Sequence, residues 1–491
     1  MTKKKRNLIL LLAATLIMGG LLWLVIRLDE ENIDHTHDTD TSETSEDVSS
    51  SDSGILINED DENLKKIVYS NEKASYTVTL DKKAGEIVFS ELKGLPVNQN
   101  FMEYIWYGVT QLTYDSVITS TDAEGYKASA YGLDKPSLTV SATFEGDKKY
   151  KFIAGSEVPG STDTYYVRLS GDKNVYACAI DSVFFMGNNY FLSDDVFYSY
   201  DKDLESESDI SIGNITLSGD NFDGKFVMQQ NKISNQSDPF CGYDYIVTSP
   251  IRWPAKSSSA ALIVHELTYM TASDAVVLNP TKKQLKQYGL DTPSCTMDFT
   301  RNGKACTLYI GNITKADMYV MLKGQPIIYS LDVDGLSMLH KLSPENIYSD
   351  TALSISIETI SNIKIQSSNV KRNIAISRKA KESAANAEIS EDVIYTYSVK
   401  VDGNEKKYSV YTNFVKQLNN GVVQNWNVKK PAGKPAVTIT VDYFDNYGRK
   451  SDVIKFYKYS NRAYAVVWGD YPVNTVSATW LSQILENAEK L

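Results

Sequence analysis

The chain has 491 residues, a formal net charge of −12 and four cysteines. Its length exceeds one ordinary hydrophobic core and indicates about three domains at roughly 100–200 residues each. Four scattered cysteines exclude a dense disulfide framework, and the excess of negative charge argues against a nucleic-acid partner.

A possible membrane anchor opens the chain. Residues 8–26 form a run of nineteen residues without a charge, and four basic residues precede it at positions 3–6. A run of this length can cross the hydrocarbon core as a helix, and a basic flank marks the cytoplasmic side. A cleaved signal peptide usually has a shorter apolar stretch followed by a small-residue site, so an uncleaved anchor is favoured. Residues 1–28 are predicted to be a cytoplasmic flank and a single transmembrane helix of the cell membrane, with the body outside the cytoplasm.

Residues 29–62 are predicted to be an acidic disordered tether. They contain fourteen Asp and Glu residues and no Lys or Arg. Such a segment buries too little apolar surface to offset its loss of conformational entropy, and its self-repulsion keeps it extended. Without the tether's charge of −14 and the five basic residues before it, −3 remains for residues 63–491. The predicted body is therefore nearly neutral, and no nucleic-acid partner is expected.

A nine-residue motif occurs twice, with its copies 157 residues apart. It reads Tyr-Gly-Leu-Asp-x-Pro-Ser-x-Thr. The glycine falls where a short helix requires a left-handed residue, the leucine supplies the hydrophobic contact that often follows, and the proline prevents the helix from continuing. We predict a structural role, a helix stop that leads into a strand. The motif residues are Tyr131, Gly132, Leu133, Asp134 and Pro136 in the first copy, and Tyr288, Gly289, Leu290, Asp291 and Pro293 in the second.

Apolar and polar residues alternate after the second motif, which predicts a strand with one buried face. The pair Asn302-Gly303 then predicts a two-residue type I′ hairpin turn, because both central residues of that turn need positive φ. The resulting register pairs Phe299 with Cys306, Met297 with Leu308, and Cys295 with Ile310.

This strand pattern recurs in two other places. One copy follows the first motif, and another covers residues 437–441, where the motif is absent. A short segment with helical spacing of apolar residues precedes each copy, around Met102, Ile263 and Phe414. We therefore predict an α+β fold of tandem repeats, each an antiparallel β-meander of about four strands with a short packed helix. The predicted units are residues 63–200, residues 210–350 and a degenerate third unit at residues 358–491.

These features resemble a known bacterial family, the domain of unknown function 4340 family. The resemblance rests on the basic N-terminus with one apolar segment, the repeated motif with its alternating strand, a downstream Ile-Gly element and the Tyr-containing strands after it. It is most specific over residues 131–177 and 288–330. Members are often encoded beside ABC-type transporters similar to those linked to gliding motility. The resemblance therefore implies an auxiliary or scaffolding role in the cell envelope.

The sequence offers few candidates for chemistry. His265-Glu266 begins like a zincin helix, but position 269 is Tyr, so no metal site is predicted. Acidic residues alternate from Asp201 to Asp209, yet the central glycine and closing Glu of an EF-hand loop are missing, which favours a solvated linker over a calcium loop. Nucleophile-elbow, Walker and dinucleotide motifs are absent from the sequence. We predict no enzyme activity, no catalytic residue and no cofactor.

The chain contains 32 tyrosines. Tyrosine suits the half-buried face of a sheet, but exposed tyrosines can also form stacking platforms for sugars or a protein interface. Four tyrosines recur at corresponding strand positions and are predicted as an interaction surface, namely Tyr165, Tyr166, Tyr319 and Tyr464.

Together these features predict a non-enzymatic extracytoplasmic scaffold or accessory subunit of a membrane complex, such as an ABC-type transporter. Its expected partners are the membrane, through the N-terminal helix, and the proteins of that complex. The alternative is a cell-envelope glycan-binding module. A hydrolase comes third, because paired carboxylates can be distant in sequence.

Overall fold

The structure is a computed structural model that describes residues 53–380 and 395–491, apart from residues 202, 203, 205, 207 and 208. The predicted transmembrane helix in residues 1–28 and most of the predicted tether lie outside the described residues. Within the described part of the chain, no helix has the length and apolar character needed to cross a membrane.

The alternating segments of the first unit form an eight-stranded antiparallel sheet, sheet 1, in the order β4-β3-β2-β7-β8-β9-β10-β6. A separate two-stranded sheet contains β1 and β5. Helix α1 (Gln99–Tyr107) lies between β4 and β5 and buries Met102, Ile105 and Trp106. The strands are β1 (Gly54–Asn58), β2 (Leu64–Asn71), β3 (Ser75–Asp81), β4 (Glu86–Phe89), β5 (Gln111–Tyr114), β6 (Ser116–Ser120), β7 (Leu138–Phe144), β8 (Lys149–Glu157), β9 (Thr164–Leu169) and β10 (Asn174–Ala179).

Strand β1 lies inside the range predicted as a disordered tether, so that prediction is wrong for its last residues. Ile57 pairs with Leu112 of β5 and is buried. The physical reason is local composition, because residues 55–57 are three consecutive apolar residues in an otherwise polar segment. They supply the buried surface that the rest of the segment lacks.

The second unit forms a nine-stranded antiparallel sheet, sheet 2, in the order β14-β13-β12-β11-β16-β17-β18-β19-β15. Its strands are β11 (Ile212–Gly219), β12 (Phe222–Gln230), β13 (Tyr245–Ser249), β14 (Trp253–Pro254), β15 (Asp274–Leu278), β16 (Cys295–Arg301), β17 (Lys304–Ile313), β18 (Asp317–Leu322) and β19 (Ile327–Asp332). A short helix, α2 (Tyr198–Asp201), precedes sheet 2. The helices of the unit itself are α3 (Ser257–Thr268), α4 (Lys282–Gln287) and α5 (Pro344–Ile347).

The third unit forms another nine-stranded antiparallel sheet, sheet 3, in the order β23-β22-β21-β20-β25-β26-β27-β28-β24. Its strands are β20 (Ile360–Ser367), β21 (Lys371–Ala380), β22 (Tyr395–Val401), β23 (Asn404–Lys406), β24 (Val423–Asn425), β25 (Val437–Tyr443), β26 (Ser451–Lys458), β27 (Ala463–Trp468) and β28 (Asn474–Ser477). Its helices are α6 (Tyr408–Asn419) and α7 (Ala478–Glu489).

Over the residues that the structure describes, the three sheets share one strand order, except that sheet 1 lacks the outermost strand that β14 and β23 form in the other two; this confirms the predicted repeat of antiparallel sheets with few helices. Each unit begins with a first meander, continues through a helix (α1, α3 or α6) and an edge strand (β6, β15 or β24), and ends with a second meander of four strands. The sequence predicted only the second meander. In unit 2 the first meander was missed because register shifts in β11 and β12 interrupt the period-two alternation.

The predicted hairpin of the second unit is confirmed. Strands β16 and β17 pair Phe299 with Cys306, Met297 with Leu308, and Cys295 with Ile310, and all six residues are buried. Asn302 and Gly303 both have positive φ, as the predicted turn requires. The hydrophobic core of sheet 1 is separate, whereas sheets 2 and 3 contribute to one continuous core.

Candidate interaction surfaces

The second motif ends helix α4 as predicted. The helix begins at a capping box in which the side chains of Thr281 and Gln284 each accept the backbone N–H of the other residue. After the helix Gly289 adopts a φ of +70°, the left-handed conformation of a helix C-terminus. The N–H of Leu290 donates back to the helix at 2.8 Å, and its side chain is buried. The motif therefore encodes a helix stop.

The first motif has the same geometry after a shorter, 3₁₀ turn at Ala128–Tyr131. Gly132 has a φ of +69°, and the N–H of the buried Leu133 donates to the carbonyl oxygen of Ala128 at 3.0 Å. In the third unit, residues 426–436 contain no helix between β24 and β25. The absence of the motif there coincides with the absence of the helix that it would end.

The motif serine fixes the start of the next strand. The hydroxyl of Ser294 donates to the carbonyl oxygens of Ile310 and Gly311, at 3.1 and 2.9 Å. Ser137 makes the matching bonds to the carbonyl oxygens of residues 154 and 155, at 3.2 and 2.7 Å. In both units the serine therefore ties the motif to the second strand of the meander.

A glycine on that second strand allows the motif backbone to approach. A Cβ added to Gly155 would overlap the carbonyl oxygen of Tyr131, and one added to Gly311 would overlap that of Tyr288. Only glycine fits such close contact between two backbones. This explains the Ile-Gly element, whose function the sequence pattern alone did not identify.

The motif tyrosine packs on one of the predicted surface tyrosines in each unit. The rings of Tyr131 and Tyr166 meet edge to face with centroids 5.1 Å apart. The rings of Tyr288 and Tyr319 do the same at 4.7 Å. All four side chains are half-buried. Each pair therefore presents part of an aromatic surface beside the helix stop of its own sheet.

The other two predicted tyrosines have different surroundings. Tyr165 stacks on Phe185 with centroids 4.6 Å apart, and burial raises the pKa of its hydroxyl. Tyr464 is half-buried against the core that sheets 2 and 3 share. The four tyrosines lie on three different sheets, so the structure does not bring them together in one site. Their role in binding stays a prediction.

An exposed aromatic patch lies on helix α1 and was not predicted. It consists of Phe101, Tyr104, Tyr107 and Tyr190, which we call the α1 patch. Tyr104 and Tyr107 are 57% and 50% exposed, while Phe101 packs on Tyr190 with ring centroids 4.6 Å apart. The helical residues follow a spacing of three, which places them side by side on the helix surface. That spacing was visible in the sequence, opposite the buried face around Met102.

Comparison with known protein families identifies the chain. Residues 88–202 and 246–437, more than half of its length, match the family described as Domain of unknown function (DUF4340). The chain belongs to this family. No curated protein and no solved structure matches it. The DUF4340 match contains both motif copies, both tyrosine pairs and the whole α1 patch, so all of these surfaces lie in the family's own domain.

The motif aspartates of this DUF4340 protein are exposed. The side chain of Asp291 accepts the N–H of Thr292 at 3.0 Å and its hydroxyl at 3.3 Å. Both bonds are local to the turn that follows the helix stop. Asp134 occupies the equivalent place in the first motif.

The side chains of His265 and Glu266 in α3 lie in different surroundings. Glu266 is 8% exposed and accepts backbone N–H groups from Ser337, Met338 and Leu339, the latter two at 2.8 Å. His265 lies against the ring of Tyr269 instead. Among the described residues, no three His, Cys, Asp or Glu side chains are placed to hold a metal ion. Glu266 therefore fixes the loop after β19.

Asp201, the first acidic residue of the 201–209 series, forms an ion pair. Arg301 is 1% exposed, forms a two-pronged ion pair with Asp201 and donates to the carbonyl oxygens of Leu267 and Thr268 at the end of α3. Its guanidinium also lies over the ring of Phe197 at 4.4 Å. The central residues of the series, Asp203, Glu205 and Glu207, lie outside the described residues. Asp201 is thus part of the contact between the linker and sheet 2.

Proposed function

We propose that this protein is a non-enzymatic, membrane-anchored scaffold or accessory subunit of a membrane complex, with an ABC-type transporter as the specific complex. The observation that carries the proposal is the α1 patch. Aromatic side chains are enriched in protein interfaces because they offer a large apolar area and, in tyrosine, a polar hydroxyl at the tip. Two adjacent tyrosines at least half exposed on a rigid helix suit this role better than a core position.

The position of the patch in the chain supports the proposal further. Helix α1 belongs to unit 1, the unit that follows the predicted anchor and tether. Unit 1 is therefore the unit closest in sequence to the predicted anchor. The family's association with ABC-type transporters supplies the class of partner. This class of partner is implied by the resemblance to the family.

Affinity purification from detergent-solubilised membranes tests the proposal. The tagged wild-type chain should recover the permease or ATPase subunits of a transporter. The double variant Tyr104→Ser/Tyr107→Ser should recover less of them, because it removes the aromatic area without touching the core. Tyr459→Ser is the matched control, since Tyr459 is 48% exposed and lies directly after strand β26 in the third unit. Recovery of the wild type alone, or equal recovery by both variants, contradicts the proposal.

Membrane topology is tested separately. A reporter that is active only outside the cytoplasm, fused after Leu491, should be active in cells. A reporter that is active only in the cytoplasm, fused at the same place, should be silent. The opposite result would overturn the proposed orientation.

A glycan-binding module is the second candidate, favoured by the tyrosine pairs Tyr131–Tyr166 and Tyr288–Tyr319. A second ring already holds the partly exposed ring in place. The exposed ring can therefore stack on a sugar with little further loss of side-chain entropy. Sedimentation with purified cell wall tests this candidate. Retention that weakens in Tyr166→Ala and Tyr319→Ala supports it, and no retention of the wild type removes it.

A further inference from the structure

Strand β4 ends sheet 1 and is the point where unit 1 departs from the other two units. In sheet 2 the corresponding strand β13 pairs with β14, through Ile246 with Pro254 and Val247 with Trp253. In sheet 3 the corresponding strand β22 pairs with β23. Among the described residues, no strand pairs with the outer side of β4. Unit 1 therefore lacks one strand that units 2 and 3 possess.

Two stretches of sequence establish the correspondence. Residues 86–90 read Glu-Ile-Val-Phe-Ser, and residues 245–249 of β13 read Tyr-Ile-Val-Thr-Ser. Downstream, residues 92–96 read Leu-Lys-Gly-Leu-Pro, and residues 251–254 read Ile-Arg-Trp-Pro. The first unit therefore contains one additional residue, Gly94, whose φ is +82°.

Hydrogen bonds confirm that Pro96 and Pro254 are equivalent. The carbonyl oxygen of Pro96 accepts the N–H of Ser193 at 2.9 Å, and that of Pro254 accepts the N–H of Ser349 at 2.9 Å. The next residue in each unit, Val97 or Ala255, forms an antiparallel bridge with the chain that leads into the following unit. Apart from these shared contacts the two units differ, because Trp253-Pro254 pairs with β13 whereas Leu95-Pro96 does not pair with β4.

A groove of about 380 Å³ lies where the missing strand would run. This volume falls at the lower end of ligand sites, which hold roughly 300–1,000 Å³, and suits a few extended residues. Apolar side chains on both sides line it, and the wall opposite β4 comes partly from the linker to unit 2. The lining includes Ile87, Phe89, Leu92, Leu95, Met102 and Tyr198. The groove is thus continuous with the contact between unit 1 and the linker.

The edge of β4 carries a substitute for a strand partner. The N–H of Ile87 donates to the side-chain oxygen of Gln99 at 3.1 Å. This bond satisfies one outward N–H of β4, and an added strand would replace the side-chain oxygen of Gln99 with a backbone carbonyl oxygen of its own. Open sheet edges with adjacent apolar pockets are recognised in this way, by strand addition.

We propose that the β4 groove binds an extended segment of a partner protein, which adds to sheet 1 as the strand that unit 1 lacks. The internal strand β14 defines the chemistry of the occupant. It is short and antiparallel, and it places the bulky apolar side chain of Trp253, which is 3% exposed, against the sheet. The partner segment should likewise contain a large aromatic or aliphatic residue. This inference deepens the proposed scaffold function and rests on it for the identity of the partner.

The test uses a probe taken from the chain itself. A fluorescent peptide with the sequence of residues 251–256, acetylated and amidated, is titrated into the full-length protein in detergent and followed by anisotropy. We expect saturable binding that a Trp253→Gly version of the peptide does not show. Absence of saturable binding to the wild type overturns the proposal.

Two variants locate the binding. Val88→Lys places a charge on β4, a device that blocks strand addition at sheet edges, and should weaken the peptide Kd at least about tenfold. Val117→Lys is the matched control, because Val117 is 43% exposed on β6, the strand at the other end of the same sheet, and should bind as the wild type does. Equal binding by both variants contradicts the proposal.

Deletion of Gly94 gives an independent result. It should let Leu95-Pro96 close on β4 as Trp253-Pro254 closes on β13, and peptide binding should be lost while the melting temperature is maintained or rises. Undiminished binding in a folded deletion variant would count against the groove.

Three further outcomes separate this proposal from its alternatives. If the wild type forms a dimer that Val88→Lys abolishes and Val117→Lys retains, the occupant is a second copy of the chain. The proposal of a segment from a partner protein is then wrong. If the peptide fails to bind while transporter subunits are still recovered from membranes, the groove proposal falls and the scaffold function stands. If the peptide binds but no transporter subunit is recovered, the groove proposal stands and the scaffold function falls.

Discussion

Gly311 lies so close to the carbonyl oxygen of Tyr288 that no side chain fits between the two backbones. The residues belong to different elements, the helix stop of the motif and strand β17. Ser294 adds two hydrogen bonds across the same contact. The motif is therefore a piece of tertiary structure as well as a local signal, because it holds the turn against the meander that follows it.

The substitution Gly311→Ala should destabilise the second unit by about 1–3 kcal/mol, the range expected when a methyl group is forced into a filled space. The control is Gly335→Ala, since a Cβ there meets no atom within 4 Å and φ is not in the left-handed range; it should stay within about 0.5 kcal/mol of the wild type. Hydrogen exchange should increase in peptides from α4, β16 and β17 of the first variant. Unchanged exchange there would contradict the close-contact argument.

The buried carboxylate of Glu266 should also prove structural. Glu266→Gln keeps the shape but replaces one acceptor oxygen with an amide N–H₂, which faces backbone N–H donors instead of accepting from them. Leaving a buried N–H unpaired costs about 1–3 kcal/mol, so the melting temperature should fall and exchange should rise at residues 337–339. Substitution of the neighbouring His265 by Gln should have little effect. A Glu266→Gln variant as stable as the wild type would show that the loop does not depend on the carboxylate.

The predictions from sequence succeeded where the signal is local. The pair Asn302-Gly303 determined the register of β16 and β17, because a two-residue turn allows one pairing, and Gly289 marked the helix end through its need for positive φ. The partners of Glu266 are 71 to 73 residues away, and no local pattern joins them. The β4 groove was missed for a similar reason, since it depends on one additional glycine whose effect appears only when two sheets are compared.

The ion pair between Arg301 and Asp201 should be sensitive to loss of either partner. Asp201→Ala leaves a guanidinium that is 1% exposed without its counter-charge, and breaking a buried pair in this way costs about 3–5 kcal/mol. Asp209→Ala removes an exposed carboxylate from the same series and should have little effect. Thermal unfolding measures both. Because Asp201 already binds Arg301, added Ca²⁺ should not change the wild-type melting temperature; a rise that Asp201→Ala abolishes would instead favour a calcium loop.

Asp195 should make stability depend on pH in mildly acidic solution. Burial raises the pKa of its carboxyl above the usual range, although the N–H of Phe197 donates to it at 2.9 Å. Since the pKa is higher in the folded protein than the unfolded value of about 3.9, this contribution to the free energy of unfolding is fully present below that value and is lost as pH rises through the folded pKa. Asp195→Asn keeps the acceptor oxygen and cannot ionise.

The Asp195→Asn variant should therefore melt at a higher temperature than the wild type at pH 7, and the difference should shrink as the pH is lowered toward about 3. The neighbouring Asp194 is exposed, so Asp194→Asn controls for the change in net charge and should show no such pH-dependent gain. Thermal unfolding of the three proteins between pH 3 and pH 7, at constant ionic strength, measures the effect. A wild type that is more stable than Asp195→Asn at pH 7 would mean that the carboxylate is stabilised by its surroundings, and that Arg301 outweighs burial at this position.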